Sequence, residues 1–394
     1  MQLNAPTPAK QRIVFVINSL EGGGAERVLS ILLDQLAQSL PDVDLYLILL
    51  DQATERYSIP PQINKITLDC RGAMLGSTIQ LYHTLRRIAP DQVLSFLNRA
   101  NCATIAASLL LGFRCLVSER INTSSHFGAG WKGRINKAIV RVLYPRADRV
   151  LVVSRGVGAE LEQRFGVAAE RLQVIYNPYD LPRLAQLAAQ APALEIEGEY
   201  IVSVGRLVPN KNFHLLIKAY QQAGLQEKLV ILGEGPEQAG LQQLIVDLQL
   251  EGRVILAGFL DNPYAVMGRA RYAVFSSLAE GFPNAMAEAM ALGLPVIATD
   301  CESGPAEILH DRIRVNPVAA FRAEHGVLVP INDQAALVQA LQWMNDPDLY
   351  AHYRQRSCAR IRYFSIEQAV SQYCAALALA PDACLHAEAC TAES

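Results

Sequence analysis

Two carboxylates, Glu280 and Glu288, stand eight positions apart around the turn Gly281-Phe282-Pro283-Asn284. The turn follows an apolar run, Tyr272–Phe275, and opens the small-residue segment Ala285–Gly293. Such spacing puts one carboxylate on a loop and the other one or two helical turns later, but pairs this far apart also arise by chance. Two cations add weight. Arg206 and Lys211 follow the apolar run Tyr200–Val204, so they sit at the carboxyl end of a strand. There they suit a diphosphate, attracting it and stabilising its charge as it leaves; the plainer reading is a solvated loop pair. Gly22, Gly23 and Gly24 precede a helical run, where backbone without Cβ atoms lets a phosphate approach free N–H groups; a simple tight turn is the alternative. Gly233, Glu234 and Gly235 form another strand-to-helix turn, able to present backbone groups to a nucleobase, and Ala298–Leu309 repeats the arrangement.

Chemistry built on Arg and Lys needs no metal, and no cofactor is expected. The two D-x-D triplets, Asp42-Val-Asp44 and Asp346-Pro-Asp348, are misplaced for metal binding: the first precedes its strand and the second lies between helices. Both read as solvated turns. The glycine turn at 22–24 also raises a nicotinamide-dependent oxidoreductase. That fingerprint needs G-x-G-x-x-G, and Arg27 stands at the third glycine; Asp51 after the second strand could mimic its ribose-binding acid.

These residues need a scaffold that gathers strand ends. Apolar runs at 13–18, 45–50, 63–68, 93–97, 115–118, 150–153 and 174–176 alternate with helical patterns such as 25–38 and 77–88. Runs rich in Val, Ile and Leu without polar alternation suit parallel strands covered on both faces. The pattern restarts at 200–204, 229–232, 254–257, 273–275, 295–298 and 327–329. Two such alternations imply two doubly wound α/β domains, with a ligand expected in a cleft between them. The expected division is 1–180, a linker at 181–199, 200–360, a helix at 361–380 crossing back to the first domain, and a loose tail at 381–394.

Length supports two domains, at 394 residues, and 51% hydrophobic content supplies their cores. A net charge of −3 gives no reason to expect nucleic acid. The apolar stretch Ala103–Leu111 is too short to span a membrane, and the N-terminus shows no secretory pattern. Eight cysteines lack zinc or C-x-x-C spacing and read as free thiols of a cytoplasmic protein.

The segments "GGGAERVLSILL", "VGRLVPNKNFHLLIKAY", "LGEGP", "GFLDNPY", "AEGFPNAMAEAMALGLPVIATD" and "SGPAEIL" occur in this order. Together they make the chain resemble glycosyltransferase family 4, the retaining GT-B nucleotide-sugar transferases, over about residues 12–375. The resemblance implies transfer of a hexose or N-acetylhexosamine from a nucleoside diphosphate, with UDP expected, to a glycan or lipid-linked glycan. Its Glu-x7-Glu motif falls on Glu280 and Glu288, implying that Glu280 hydrogen-bonds the donor sugar and Glu288 holds the ribose. Backbone N–H groups around Gly281, Phe282, Pro283, Asn284 and Ala285 would face the sugar and diphosphate, with Gly205 and the other glycine turns completing the donor site. A proline fits a helix start, where its missing N–H has no partner to lose.

The family commonly carries a His after the strand that ends here near Ser118. This chain has Glu119 and Arg120 there, with His126 further on. Glu119, directly after a strand, is the expected acceptor-side group. Asn98 and Arg99, at another strand end, are candidate acceptor contacts with Arg120 and His126. A sugar-nucleotide epimerase of the same fold is the rival activity.

Between His126 and Arg155 the charge balance is +6. Arg134, Lys137 and Arg141 share one helical stripe, while Ile135, Ile139 and Val142 form another. This is either a helix packed on a core with a wet basic face, or a surface that docks on anionic lipid at the inner face of a membrane.

Overall fold

A computed structural model describes residues 10–128 and 130–379. The N-terminal stretch inspected for a leader and the expected tail at 381–394 lie outside the described residues. The chain divides into two units. Unit 1 takes the chain up to Val153, Val157–Tyr176 and the chain from Ile366 onward; unit 2 takes Ser154–Gly156 and Asn177–Ser365.

The β-branched runs of unit 1 become β1 (Gln11–Ile17), β2 (Val43–Leu49), β3 (Asn64–Thr67), β4 (Gln92–Phe96), β5 (Arg114–Glu119), β6 (Arg149–Val152) and β7 (Leu172–Val174). They form one parallel sheet in the order β3-β2-β1-β4-β5-β6-β7. In register, Gln11 faces Val43, Ile17 faces Leu49, and Ile13 faces Gln92. β4 is buried along its whole length, as a strand covered on both faces must be, whereas the edge strand β3 is polar and largely exposed. The helix Gly24–Ser39 lays Leu29, Leu33 and Leu36 on the sheet, and Val370, Tyr373 and Leu377 near the C-terminus join the same core.

Unit 2 builds β8 (Tyr200–Val204), β9 (Lys228–Leu232), β10 (Val254–Gly258), β11 (Ala273–Phe275), β12 (Val296–Thr299), β13 (Phe321–Arg322) and β14 (Val327–Val329). Their order is β10-β9-β8-β11-β12-β14-β13, parallel except for β13 against β14. Each sheet therefore reverses its winding once, between β1 and β4 and between β8 and β11. Ligands of open α/β sheets bind outside the carboxyl ends of the strands at such points.

Three expectations need correction. The Ala- and Pro-rich stretch after Asp180 is not bare linker: it begins as the helix Leu181–Ala188, with the Asp180 carboxylate accepting from the Arg183 amide and Leu184 buried. The last strand of unit 1 lies earlier than 174–176, because Leu172 pairs with Val150. Cys374 is disulfide-bonded rather than free. Cys70, Cys102, Cys115 and Cys301 are buried free thiols, and Cys358 is an exposed one.

Candidate active site

At the winding reversal of unit 2, β8 leads into Gly205 and Arg206, and a 3-10 turn, Pro209–Lys211, follows. β11 leads into Ser276, Ser277 and the loop that carries Glu280. The two loops meet. Lys211 Nζ lies 2.5 Å from Glu280 Oε1, and Ser277 Oγ donates to the same oxygen at 2.6 Å. Hydroxyls and amides bind the loops together. Ser276 Oγ donates to the Lys211 carbonyl at 2.8 Å, Asn210 Nδ2 to the Ala279 carbonyl at 2.7 Å, and Thr299 Oγ1 to the Ser277 carbonyl at 2.5 Å. Ser303 Oγ donates to the Glu280 carbonyl. The pair keeps some contact with solvent, its side chains being 24% and 13% exposed. Arg206, by contrast, is exposed, and among the described residues it makes no ion pair.

The glycines of β8 and β9 have a packing reason. A Cβ on Gly233, at φ +134°, would stand 2.1 Å from the Gly205 carbonyl oxygen, and one on Gly235 would stand 2.3 Å from that of Leu207. Side chains there would push the neighbouring loop away. Glu234 turns its carboxylate back to the Phe259 amide at 3.3 Å.

Helix Asn284–Ala291 starts after Pro283. Among the described residues, its first amides with an acceptor are those of Met286 and Ala287, both on the Pro283 carbonyl. The Asn284 and Ala285 amides thus remain open at the positive end of the helix, a place that favours an anion. The Asn284 side chain is already engaged, its Oδ1 accepting from Asn177 Nδ2 at 2.6 Å and Tyr179 Oη at 2.7 Å. Phe282 is buried edge-on to Phe364, and Glu288, 8% exposed, lies in the second turn. Asp346, half of one D-x-D triplet, caps the helix Pro347–Ile361 through the Asp348 and Leu349 amides.

In unit 1 the residues expected on the acceptor side divide. Glu119 is wholly buried. Tyr144 Oη donates to its Oε2 at 2.5 Å, and the Arg120 and Ile121 amides donate to its Oε1 at 3.0 and 3.4 Å. Burial pushes its pKa up to about 7, and those three donors pull the other way. Asn98 Nδ2 and Asn101 Nδ2 donate to the Tyr144 oxygen, each at 3.1 Å, completing a closed polar cluster. Arg99 is ion-paired with Asp51 and donates to Ser77 Oγ at 3.1 Å. Asp51 is thereby engaged, which counts against the ribose-acid role raised by the oxidoreductase reading. Arg120 is nearly buried and donates to Tyr373 Oη at 3.0 Å, while His126 is exposed on the short helix Thr123–Phe127. Leu97, before Asn98, holds φ +74°, a strained conformation for a bulky residue. Gly22 takes φ +127° beside the Arg56 side chain, and Gly23, extended, accepts the Arg27 amide.

The basic segment forms the helix Trp131–Leu143, and it does not pack as an ordinary core helix. Its buried residues are Gly133 and Val140. At about 100° per residue, Trp131, Ile135 and Val142 cluster on the opposite face, and they are 69%, 49% and 53% exposed. Lys132 and Arg134 are exposed beside them. Lys137 Nζ reaches the Gly128 carbonyl at 2.8 Å, and Arg141 reaches that of Arg164. The adjoining helix, Asn98–Leu111, adds Leu109 and Leu110, 56% and 75% exposed. No helix of the described residues is long and apolar enough to cross a membrane.

Sequence reasoning missed Ser276, Ser277, Thr299 and Ser303, the hydroxyls that hold the Lys211 and Glu280 loops. The serine pair directly after β11 was the one local signal.

Known proteins match this arrangement along the chain. Residues 22–183 match the family described as Glycosyltransferase Family 4, and residues 188–360 match Glycosyl transferases group 1. The N-acetylgalactosamine-N,N'-diacetylbacillosaminyl-diphospho-undecaprenol 4-alpha-N-acetylgalactosaminyltransferase of Campylobacter jejuni is 32% identical over 368 residues, 90% of this chain and 96% of that one. A second C. jejuni enzyme, an alpha-1,4-N-acetyl-D-galactosaminyltransferase acting on a diphospho-undecaprenol glycan, is 25% identical over 90% of this chain and 95% of its own. Anabaena HepE, crystallised with UDP, superposes with a TM-score of 0.75 at 22% identity, over 93% of this chain and 100% of its own. Two α/β domains of the GT-B kind, each matched by its own family model, place this chain among the family 4 glycosyltransferases.

Proposed function

We propose that this glycosyltransferase moves a hexose or N-acetylhexosamine from UDP to a lipid-linked glycan, with retained anomeric configuration and without a metal ion. The observation that carries the reading is the Lys211–Glu280 pair at the winding reversal of unit 2, beside the open Asn284 and Ala285 amides. One cation, two amides and a carboxylate are what a nucleotide sugar requires: donors for the diphosphate and an acceptor for sugar hydroxyls. UDP in HepE and diphospho-undecaprenol glycans in the C. jejuni relatives support the choice of donor and acceptor class.

In this mechanism Lys211 leaves Glu280 for the diphosphate, and Arg206 joins it from the exposed loop. The bond between the anomeric carbon and the β-phosphate oxygen breaks as the acceptor oxygen bonds to that carbon from the same face. The acceptor proton passes to the departing phosphate oxygen. Glu280 holds the sugar through hydroxyls, and Glu288 holds the ribose. On the acceptor side, exposed His126 supplies a donor, whereas Asn98, Arg99 and Arg120 are engaged within unit 1 and shape its loops. Glu119 orders those loops through Tyr144 and two backbone amides.

The helix Trp131–Leu143 docks on anionic lipid, which brings the enzyme to a lipid-linked acceptor. Its outward stripe of Trp131, Ile135 and Val142, flanked by cations, has the make-up of an interfacial helix. The first test is thermal unfolding with UDP-, GDP- and ADP-sugars, since bound ligand stabilises the fold by mass action. Protection by UDP-sugars and acceptor-dependent release of UDP are expected. Turnover of the nucleotide sugar without acceptor would favour an epimerase.

A further inference from the structure

The two oxygens of Glu280 are not equivalent. Oε1 accepts both Lys211 Nζ, at 2.5 Å, and Ser277 Oγ, at 2.6 Å, whereas Oε2 has no hydrogen bond among the described residues. Ser277 is itself fixed: it is 3% exposed, and its carbonyl accepts Thr299 Oγ1 at 2.5 Å. The main chain of Glu280 is held too, by Ser303 Oγ, from a residue with no exposed surface. A carboxylate on a loop has free rotation about its terminal bonds unless both donors and backbone restrain it.

We infer that Ser277 is a positioning residue that holds Oε1 of Glu280 and presents Oε2 alone to a hydroxyl of the donor sugar, while Ser303 fixes the backbone from which the carboxylate projects. The inference rests on the donor-site reading above. Lys211 cannot keep this role during the reaction, because a diphosphate competes for its ammonium group. Ser277 is neutral and buried, so it stays on Oε1 when the lysine departs. The hydrogen bond is to an ionised group, which places it among the stronger ones.

The test is a double-mutant cycle in the full chain, using Ser277→Ala, Glu280→Ala and both together, with UDP affinity and transfer from UDP-sugar measured on each. Ser277→Ala should keep wild-type UDP affinity, stay folded with a melting temperature lower by only a few degrees, lose about ten- to a hundredfold in kcat, and change KM little. Ser277→Thr, which keeps the hydroxyl, should recover most of the loss. In the Glu280→Ala background, which removes the acceptor that Ser277 holds, Ser277→Ala should cost no more than about twofold, because a residue acting through another has nothing left to position. An undiminished loss in that background, a parallel fall in UDP affinity, or unchanged turnover of Ser277→Ala would each overturn the assignment. Wild-type protein that binds no nucleoside diphosphate would instead overturn the donor site, and this inference with it.

Discussion

Replacing Trp131, Ile135 and Val142 together by serine should abolish attachment to anionic vesicles while leaving the fold intact. Full burial of a large apolar side chain is worth about 1.5–3 kcal/mol. These three expose 69%, 49% and 53% of their surface, so each can gain roughly 1–2 kcal/mol from a bilayer. The triple variant then loses about 4 kcal/mol, close to a thousandfold in partition. Reversing Lys132, Arg134, Lys137 and Arg141 to Glu removes about 1 kcal/mol per cation. Cosedimentation with phosphatidylglycerol vesicles at low and high salt separates the contributions. Screening should weaken wild-type attachment as salt rises, and the serine variant should bind poorly at either salt. Folding supplies the second readout. Serine at exposed positions should move stability by no more than about 0.5 kcal/mol each, whereas buried positions would lose about 2–5 kcal/mol each. Equal vesicle binding by all proteins, or unfolding of the serine variant, would refute the reasoning.

Lys211→Ala and Arg206→Ala should each lower kcat by about a hundredfold or more with little loss of fold, as expected for a lost donor to developing charge; near-normal turnover by the folded double variant would remove the diphosphate role. Initial rates at saturating acceptor should show Glu280→Gln harsher on kcat than Glu288→Gln, which mainly weakens donor binding, because only the first touches the reacting sugar. The reverse order would exchange their roles. Glu119 has a folded pKa of about 7 against an ordinary 4.5, raised by burial. Folded protein therefore keeps a proton that the unfolded chain releases, and stability falls as pH rises between those values, by up to roughly 3 kcal/mol. Chemical denaturation across that window should show a shallower slope in Glu119→Gln than in wild type; equal slopes would deny the shift.

Much of the scaffold was legible because parallel strands announce themselves as unbroken apolar runs. Tyr200–Val204, Ala273–Phe275 and Val327–Val329 form strands with the bounds their composition suggests. β13 was missed because two residues, Phe321 and Arg322, carry no period to read. The helix Leu181–Ala188 was hidden because it opens the Ala- and Pro-rich stretch read as linker, although Asp180 before Leu181-Pro182 is a start signal of the ordinary kind. At the site, residue types and strand-end positions pointed to Lys211 and Glu280, but their pairing across 69 residues is a product of topology. The Asp51–Arg99 pair is of the same kind, and it engages a residue expected to face a ligand. The basic helix shows the limit most clearly. Periodicity separates its faces but does not say which one is covered. The covered face carries Gly133, where a Cβ would stand 2.1 Å from the Phe127 carbonyl oxygen. A glycine that buries a helix by close approach leaves no hydrophobic signal.

The most direct test of the proposed activity is the anomeric configuration of the product formed from a UDP-α-sugar and a polyprenyl-diphosphate-linked glycan in excess EDTA, read by proton NMR. An α-linked product, formed at a rate that chelation does not change, is expected. A β-linked product, or transfer that stops with EDTA and returns with Mn²⁺ or Mg²⁺, would contradict the retaining, metal-free mechanism built on Lys211 and Glu280.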